Sequence, residues 1–177
     1  MSAHKPLEGV KVVELASFVA APTAGRMMAE MGADVIRVES TAGDPWRFYG
    51  ANCGLPITDE ENPLFDIYNL GKKDIQLNTK TPEGKEILFH LLDEADVFIT
   101  NNRLKSLVRS GLDYESLKDR FPKLIYGLVT GYGQTGPDVD APGYDGVAFF
   151  SRSGMLADMA EPSGYPASAP GCIGDGA

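Results

Sequence analysis

The sequence predicts an α/β fold built on a parallel sheet, and three stretches carry that prediction. Val10-Lys-Val-Val-Glu-Leu15 is a short, β-branched apolar run, opened by the turn residue Gly9. Asp34-Val-Ile-Arg-Val-Glu39 is a second run of the same kind. Residues 16–32 between them read as a loop that leads into a helix. Pro22 suits its first turn, where a missing N–H would be unpaired anyway, and Gly32 is placed to end it. Strand, helix and strand within about 30 residues make a βαβ unit, whose two strands lie parallel.

The remaining elements follow in order. Residues 40–63 form a long irregular connection, of the length that tends to be functional or mobile, and it holds the only tryptophan, Trp46, as a packing anchor. Leu64 to Asn78 reads as a short helix or strand, a turn, then a strand. Thr81 is placed as an N-cap with Pro82 at the first helical position, and Ile87, Leu88, Leu91 and Leu92 recur at helical spacing. Asp96 to Thr100 is a strand, Leu104 to Arg109 a short helix stopped near Gly111, Tyr114 to Arg120 another helix, and Lys123 to Val129 a strand. Gly131 to Pro137 is a glycine-rich loop. Gly143 to Gly154 reads as helical, and the rest as irregular.

Composition narrows the function. A chain of 177 residues is one ordinary domain or a piece of a larger protein, and 43% apolar with 23% charged residues is a soluble, globular balance. A net charge of −9 argues against nucleic acid as a bulk partner. No apolar run reaches the roughly 18 residues a membrane helix needs, and the N-terminus lacks a signal-peptide h-region. Cys53 and Cys172 are too few for a disulfide framework and lack metal-ligand spacing, which points to a reducing, cytoplasmic setting. With only His4 and His90 present, a histidine triad or zinc centre is not expected, and His90 falls on a helical pattern where packing is its expected role.

Two stretches could carry chemistry. The loop after the first strand, residues 16–22, is where a doubly wound sheet would receive a ligand. It has no G-x-G-x-x-G, and its small residues suit a close ligand and helix packing equally. Near the C-terminal end, Asp175 stands between Gly174 and Gly176. A carboxylate there is ionised at neutral pH and can attack an activated carbonyl without a base to deprotonate it, although Asp-Gly also reads as a plain turn.

The pieces together resemble the family III CoA-transferases, of the CaiB/BaiF, formyl-CoA:oxalate type. The resemblance runs through Pro6-Leu-Glu-Gly-Val-Lys-Val-Val-Glu-Leu15, Gly32-Ala-Asp-Val-Ile-Arg-Val-Glu39, Gly43-Asp44 and Asn69-Leu-Gly-Lys-Lys73. It continues through Leu77-Asn-Thr-Lys-Thr-Pro-Glu-Gly-Lys85, Glu94-Ala-Asp-Val97, Gly131-Tyr-Gly133, Gly136-Pro137, Gly143-Tyr-Asp145 and Gly174-Asp175. Their order and spacing together are specific where each alone is weak.

The resemblance implies a Rossmann-like fold and makes Asp175 the nucleophile. Asp175 would attack an acyl-CoA thioester to give a mixed anhydride, then carry CoA as an aspartyl thioester. Gly174 and Gly176 would offer backbone N–H groups to the oxyanion. Coenzyme A would be held as a substrate, with no permanently bound cofactor and no metal, by Phe18, Ala20, Leu77, Lys80, Asn101 and Arg109. Many members carry His and Gln in the first loop and Arg after the second strand, where this chain has Ser17, Val19 and Ser40, so those roles do not carry over. The more apolar loop implies an acyl group larger or greasier than formyl or oxalyl.

Ala16-Ser-Phe-Val-Ala-Ala-Pro-Thr-Ala-Gly25, Gly43-Asp-Pro-Trp46, Leu107-Val-Arg-Ser-Gly-Leu-Asp-Tyr114 and Thr130-Gly-Tyr-Gly133 look closest to the 2-hydroxyacyl branch, which includes phenyllactate and 2-hydroxyisocaproate CoA-transferases. That branch serves amino-acid fermentation. An α-methylacyl-CoA racemase relative and a non-catalytic CoA-binding fragment are the alternatives, and the scarcity of histidine weighs against the racemase. By the same resemblance, residues 1–177 are the N-terminal part of the large domain. The small domain and the C-terminal return would lie beyond Ala177, the full-length protein would be an interlocked homodimer, and this piece alone would be inactive. Neither a membrane nor a nucleic acid is expected as partner.

Overall fold

The computed structural model describes residues 4–58, 60–166 and 172–176. At its centre, the two β-branched runs on either side of the first helix pair in parallel. β1 (Lys11–Leu15) and β2 (Asp34–Glu39) share the register Lys11↔Asp34 to Glu14↔Arg37. α1 (Ala20–Glu30) makes the crossover, with Pro22 in its first turn and Gly32 following at φ 105°. β3 (Lys73–Gln76) adds outside β2, while β4 (Val97–Thr100) returns to the other side of β1 and β5 (Ile125–Leu128) adds beyond it. The product is a five-stranded parallel sheet in the order β3-β2-β1-β4-β5, flanked by helices. Because the chain leaves β1 in both directions, the loops after β1 and β4 part at the carboxyl edge, the place where such sheets receive ligands.

Alternation along the strands divides the core. Val13, Leu15, Val38 and Phe98 face one side with Leu88, Leu92, Leu107 and Leu117, whereas Val12, Val35 and Ile99 face α1 with Ala21 and Ala33. On the first side lies α4 (Pro82–Asp93), capped by Thr81, whose hydroxyl accepts the Gly84 N–H at 3.2 Å. Its Gly84, Leu88 and Leu92 row is the buried one. Ile87 therefore falls at the edge, 44% exposed, and His90 faces solvent near Glu86 rather than packing as its helical position suggested. α5 (Leu104–Ser110) stops at Gly111 in the left-handed region, and α6 (Tyr114–Leu117) starts from Asp113, whose carboxylate accepts the Ser116 N–H.

The connection expected to be irregular, residues 40–63, contains α2 (Trp46–Tyr49) and a 3-10 turn, Gly50–Cys53. Trp46 organises it: the indole is buried, stacks on Tyr49 at 4.6 Å between centroids, and donates from Nε1 to the Leu64 carbonyl at 3.0 Å. α3 (Pro63–Asn69) follows, so the segment read as helix or strand is a helix, capped by Asn62.

The chain divides into two compact units, Met1–Val129 and Thr130–Ala177, and the sheet belongs to the first. In the second, the segment expected to be helical, 143–154, is helical over Gly146–Ser151, in a wide π-type turn that buries Phe150. The stretch expected to be wholly irregular carries two single-turn helices, α7 (Met155–Asp158) and α8 (Ile173–Gly176). Gly171 of the C-terminal glycine-rich run lies outside the described residues.

Candidate functional site

The proposed nucleophile is the third residue of α8. Asp175 is half-buried, and its backbone N–H donates to Asp145 Oδ1 at 3.0 Å. Burial, and then the negative charge of Asp145, push the Asp175 carboxyl up to about 6. At pH 7 such a group is still ionised by about ten to one, and it is a stronger base and nucleophile than an ordinary carboxylate. Gly174 is required by packing: a Cβ there would stand 2.1 Å from Cγ of Phe149, in the π-turn. On the other flank, the Gly176 N–H donates to the Cys172 carbonyl at 3.1 Å. Burial, Asp145 and Asp175 raise the Cys172 thiol, so the sulfur beside the carboxylate stays protonated at neutral pH.

Of the residues expected to hold CoA, Phe18 and Ala20 follow β1, Leu77 and Lys80 follow β3, and Asn101 follows β4, all on the carboxyl edge of the sheet. Phe18 stands at φ 63°, a left-handed conformation that is unusual for an aromatic residue. Ala20 is the first residue of α1. Leu77 packs its side chain into the core, and its N–H donates to the Glu39 carbonyl at 2.9 Å. Lys80 is exposed in a turn closed by its own N–H on Asn78 Oδ1. Arg109 is exposed in the last turn of α5. Lys85 Nζ donates to the Ser110 carbonyl at 2.5 Å, which lays that turn beside the start of α4, just after Lys80.

Asn101 is occupied differently from a free ligand contact. Its Oδ1 accepts the Ser17 N–H at 3.0 Å and its Nδ2 donates to the Ser17 carbonyl at 2.7 Å. The amide thus ties the loops after β1 and β4 across the point where the strand order reverses. Thr100 Oγ1 adds a bond to the Leu15 carbonyl at 2.7 Å just below it.

Sequence reasoning assigned no role to the charges beneath this edge. Glu14, Arg37 and Asp74 form an in-register row across β1, β2 and β3 on the face covered by α1. Glu14 and Arg37 are fully buried, and Asp44 is 2% exposed. Lys72 Nζ donates to both oxygens of Glu14 (2.8 and 3.1 Å) and to the Pro22 carbonyl at 2.8 Å. Arg37 Nη2 donates to Asp44, and its Nε and Nη1 lie 3.5–3.6 Å from Glu14, Glu39 and Asp74. Burial pushes the Glu14 carboxyl up against the pull of Lys72 and Arg37, and pushes Lys72 down against the pull of Glu14. The signal was present: a Glu and an Arg in the middle of strands buried on both faces must be paired.

The family model for CoA-transferase family III matches residues 7–177. The chain belongs to that family. Among its CoA-transferase relatives, the cinnamoyl-CoA:phenyllactate CoA-transferase of Clostridium sporogenes is 50% identical over 167 residues, 94% of this chain and 40% of the relative. The (R)-2-hydroxy-4-methylpentanoate CoA-transferase of Clostridioides difficile is 44% identical over 169 residues, 96% of this chain and 42% of the relative. The crystal structure of a CAIB/BAIF family protein from Brucella suis superposes with a TM-score of 0.88 at 40% identity, covering 97% of this chain and 45% of that one. This family III chain therefore spans well under half the length of the curated relatives it matches.

Proposed function

We propose that the full-length protein exchanges CoA between an acyl-CoA and a carboxylic acid, with Asp175 as the covalent carrier and a 2-hydroxy acid as substrate. The observation that carries this reading is the state of Asp175, a half-buried carboxylate raised to about 6 with its backbone tied to Asp145. An Asx turn on the surface would leave the group at its ordinary value and in solvent. The substrate class is supported by the names of the two relatives at 50% and 44% identity.

The steps balance without an external energy source. An oxygen of Asp175 attacks the thioester carbon, the C–S bond breaks, and CoA leaves as thiolate, giving a mixed anhydride. The thiolate attacks the aspartyl carbonyl and expels the donor carboxylate, leaving an aspartyl-CoA thioester. The acceptor carboxylate then attacks that carbonyl and releases the thiolate, which attacks the acyl carbon of the second anhydride and returns Asp175 to its free form. One thioester replaces another, so no ATP is consumed. The loops bearing Phe18, Leu77, Lys80 and Asn101, with Ala20 at the start of α1 and Arg109 at the end of α5, are the CoA-binding elements of this reading. Lys80 serves as a point charge for phosphate, and Arg109 as a planar fork.

The test is exchange by the full-length protein with phenyllactate, 2-hydroxyisocaproate and oxalate as competing acceptors. The reading expects the two 2-hydroxy acids to accept CoA and Asp175→Ala to abolish exchange by orders of magnitude. Preference for oxalate would remove the substrate class, and activity surviving Asp175→Ala would remove the mechanism.

A further inference from the structure

The loop after β1 is held at every turn by side chains from elsewhere. Asn101 takes both backbone groups of Ser17. Asp44 accepts the Phe18 N–H on both carboxylate oxygens, at 3.1 and 3.2 Å. Lys72 takes the Pro22 carbonyl at 2.8 Å. The same Asp44 accepts the Trp46 N–H at 2.8 Å, and its own N–H donates to Glu39 Oε1 at 2.7 Å.

Two features of this arrangement ask for an explanation beyond fold stability. Phe18 stands at φ 63°, a conformation that an aromatic residue keeps only when its surroundings over-determine it. Arg37 is wholly buried, yet its Nε and Nη1 make no hydrogen bond, and among the described residues its hydrogen bond goes to Asp44. A guanidinium placed only to stabilise the sheet would satisfy its fork on the three neighbouring carboxylates, which instead sit at 3.5–3.6 Å. Its geometry favours the one contact that fixes Asp44.

We infer that Arg37 and Asp44 act as a positioning pair, holding the Phe18 backbone in its left-handed conformation so that the loop from Ser17 to Ala20 is preformed for the CoA substrate. Asn101 fixes the start of that loop, Asp44 fixes its middle, and Lys72 holds the first turn of α1 that follows it. The benefit is preorganisation: a loop already ordered loses less conformational freedom when the ligand binds. The inference rests on the reading of this loop as part of a CoA site.

The test uses the full-length protein, CoA as the probe, and a double-mutant cycle between Asp44→Asn and Phe18→Gly. Asp44→Asn alone is expected to weaken CoA binding and raise KM for acyl-CoA by about tenfold, with kcat changed much less, as the loss of one charge-assisted bond implies. In the Phe18→Gly background the same substitution should cost clearly less, because glycine adopts positive φ without being held. A stability role alone would lower the melting temperature equally in both backgrounds and leave CoA affinity within about twofold, and that result overturns the proposal. If Asp44→Asn does not fold, Arg37→Lys, which keeps the buried charge and loses the fork, should shift affinity in the same direction. Amide hydrogen exchange at Phe18 separates this idea from the functional reading. A wild-type protein that binds no CoA ends that reading and the ligand role given to the loop. Unchanged protection of the Phe18 amide in Asp44→Asn ends the positioning pair itself.

Discussion

The backbone N–H of Asp175 donates to Oδ1 of Asp145 at 3.0 Å, joining residues 30 apart in the chain. One carboxylate therefore orients the other's backbone and also raises its affinity for a proton. Asp145→Asn keeps an oxygen acceptor and removes the charge. The acid limb of the pH–rate profile should then move below its wild-type position near pH 6, while burial, the larger cause, keeps it above that of a free aspartate. Asp145→Ala also loses the bond and should reduce kcat. The pH profile of kcat/KM for acyl-CoA, which reports the free enzyme, distinguishes the two variants.

Asp175 should cost the protein stability where it is active. Its folded value of about 6 lies above the unfolded value of 3.8, so between those limits the folded state binds more protons than the unfolded one. Folding is then favoured below about pH 4 and weakened as pH rises through about 6. Asp175→Asn should raise the melting temperature at pH 7.5, have little effect at pH 4, and remove exchange. A substitution that stabilises equally at both values would show that the carboxyl titrates normally.

Gly25 is the point where α1 passes over the buried Glu14. A Cβ there would lie 1.8 Å from Glu14 Oε2. Gly25→Ala would be harmless in an exposed helix, but here it should lower stability by about 1–3 kcal/mol through overpacking. Urea denaturation should show the midpoint falling at unchanged m-value.

The Lys72–Glu14 pair gives an opposite pattern to a surface salt bridge. Among the described residues, Lys72→Met leaves the buried carboxylate with Arg37 at 3.5 Å as its remaining cation, and should destabilise by about 3–5 kcal/mol at pH 7. Combining it with Glu14→Gln should recover part of that loss, because the uncompensated charge is gone. Denaturation of the single and double variants reads this coupling directly.

Local signals in the sequence were enough for the sheet. The β-branched runs at 10–15 and 34–39, the Thr81 cap and Pro82 each act within a few residues, and each element stands where those signals put it. What escaped was non-local. α2 is four residues long, too short for periodicity, and is held by an indole bond to Leu64, 18 residues away. His90 sits on a periodic helix, but α4 packs through Leu88 and Leu92, and that row turns His90 to solvent. Asn101 could be placed at the end of β4, yet nothing near it in sequence shows that its amide would close on Ser17. Glu14 and Arg37 could have been found, since charge in the middle of a buried strand demands a partner. Their extension to Asp44 and Phe18 depends on the chain path through residues 40–45.

Trapping with hydroxylamine shows whether Asp175 becomes covalently acylated and thioesterified. The full-length protein would be mixed with an acyl-CoA and hydroxylamine, which cleaves activated carboxyls, and its peptides weighed by mass spectrometry. An acyl-CoA-dependent hydroxamate is expected on the peptide containing Asp175, and none in Asp175→Asn. Turnover of acyl-CoA with Asp175 unmodified would contradict that expectation and direct attention to chemistry that never passes through this carboxylate.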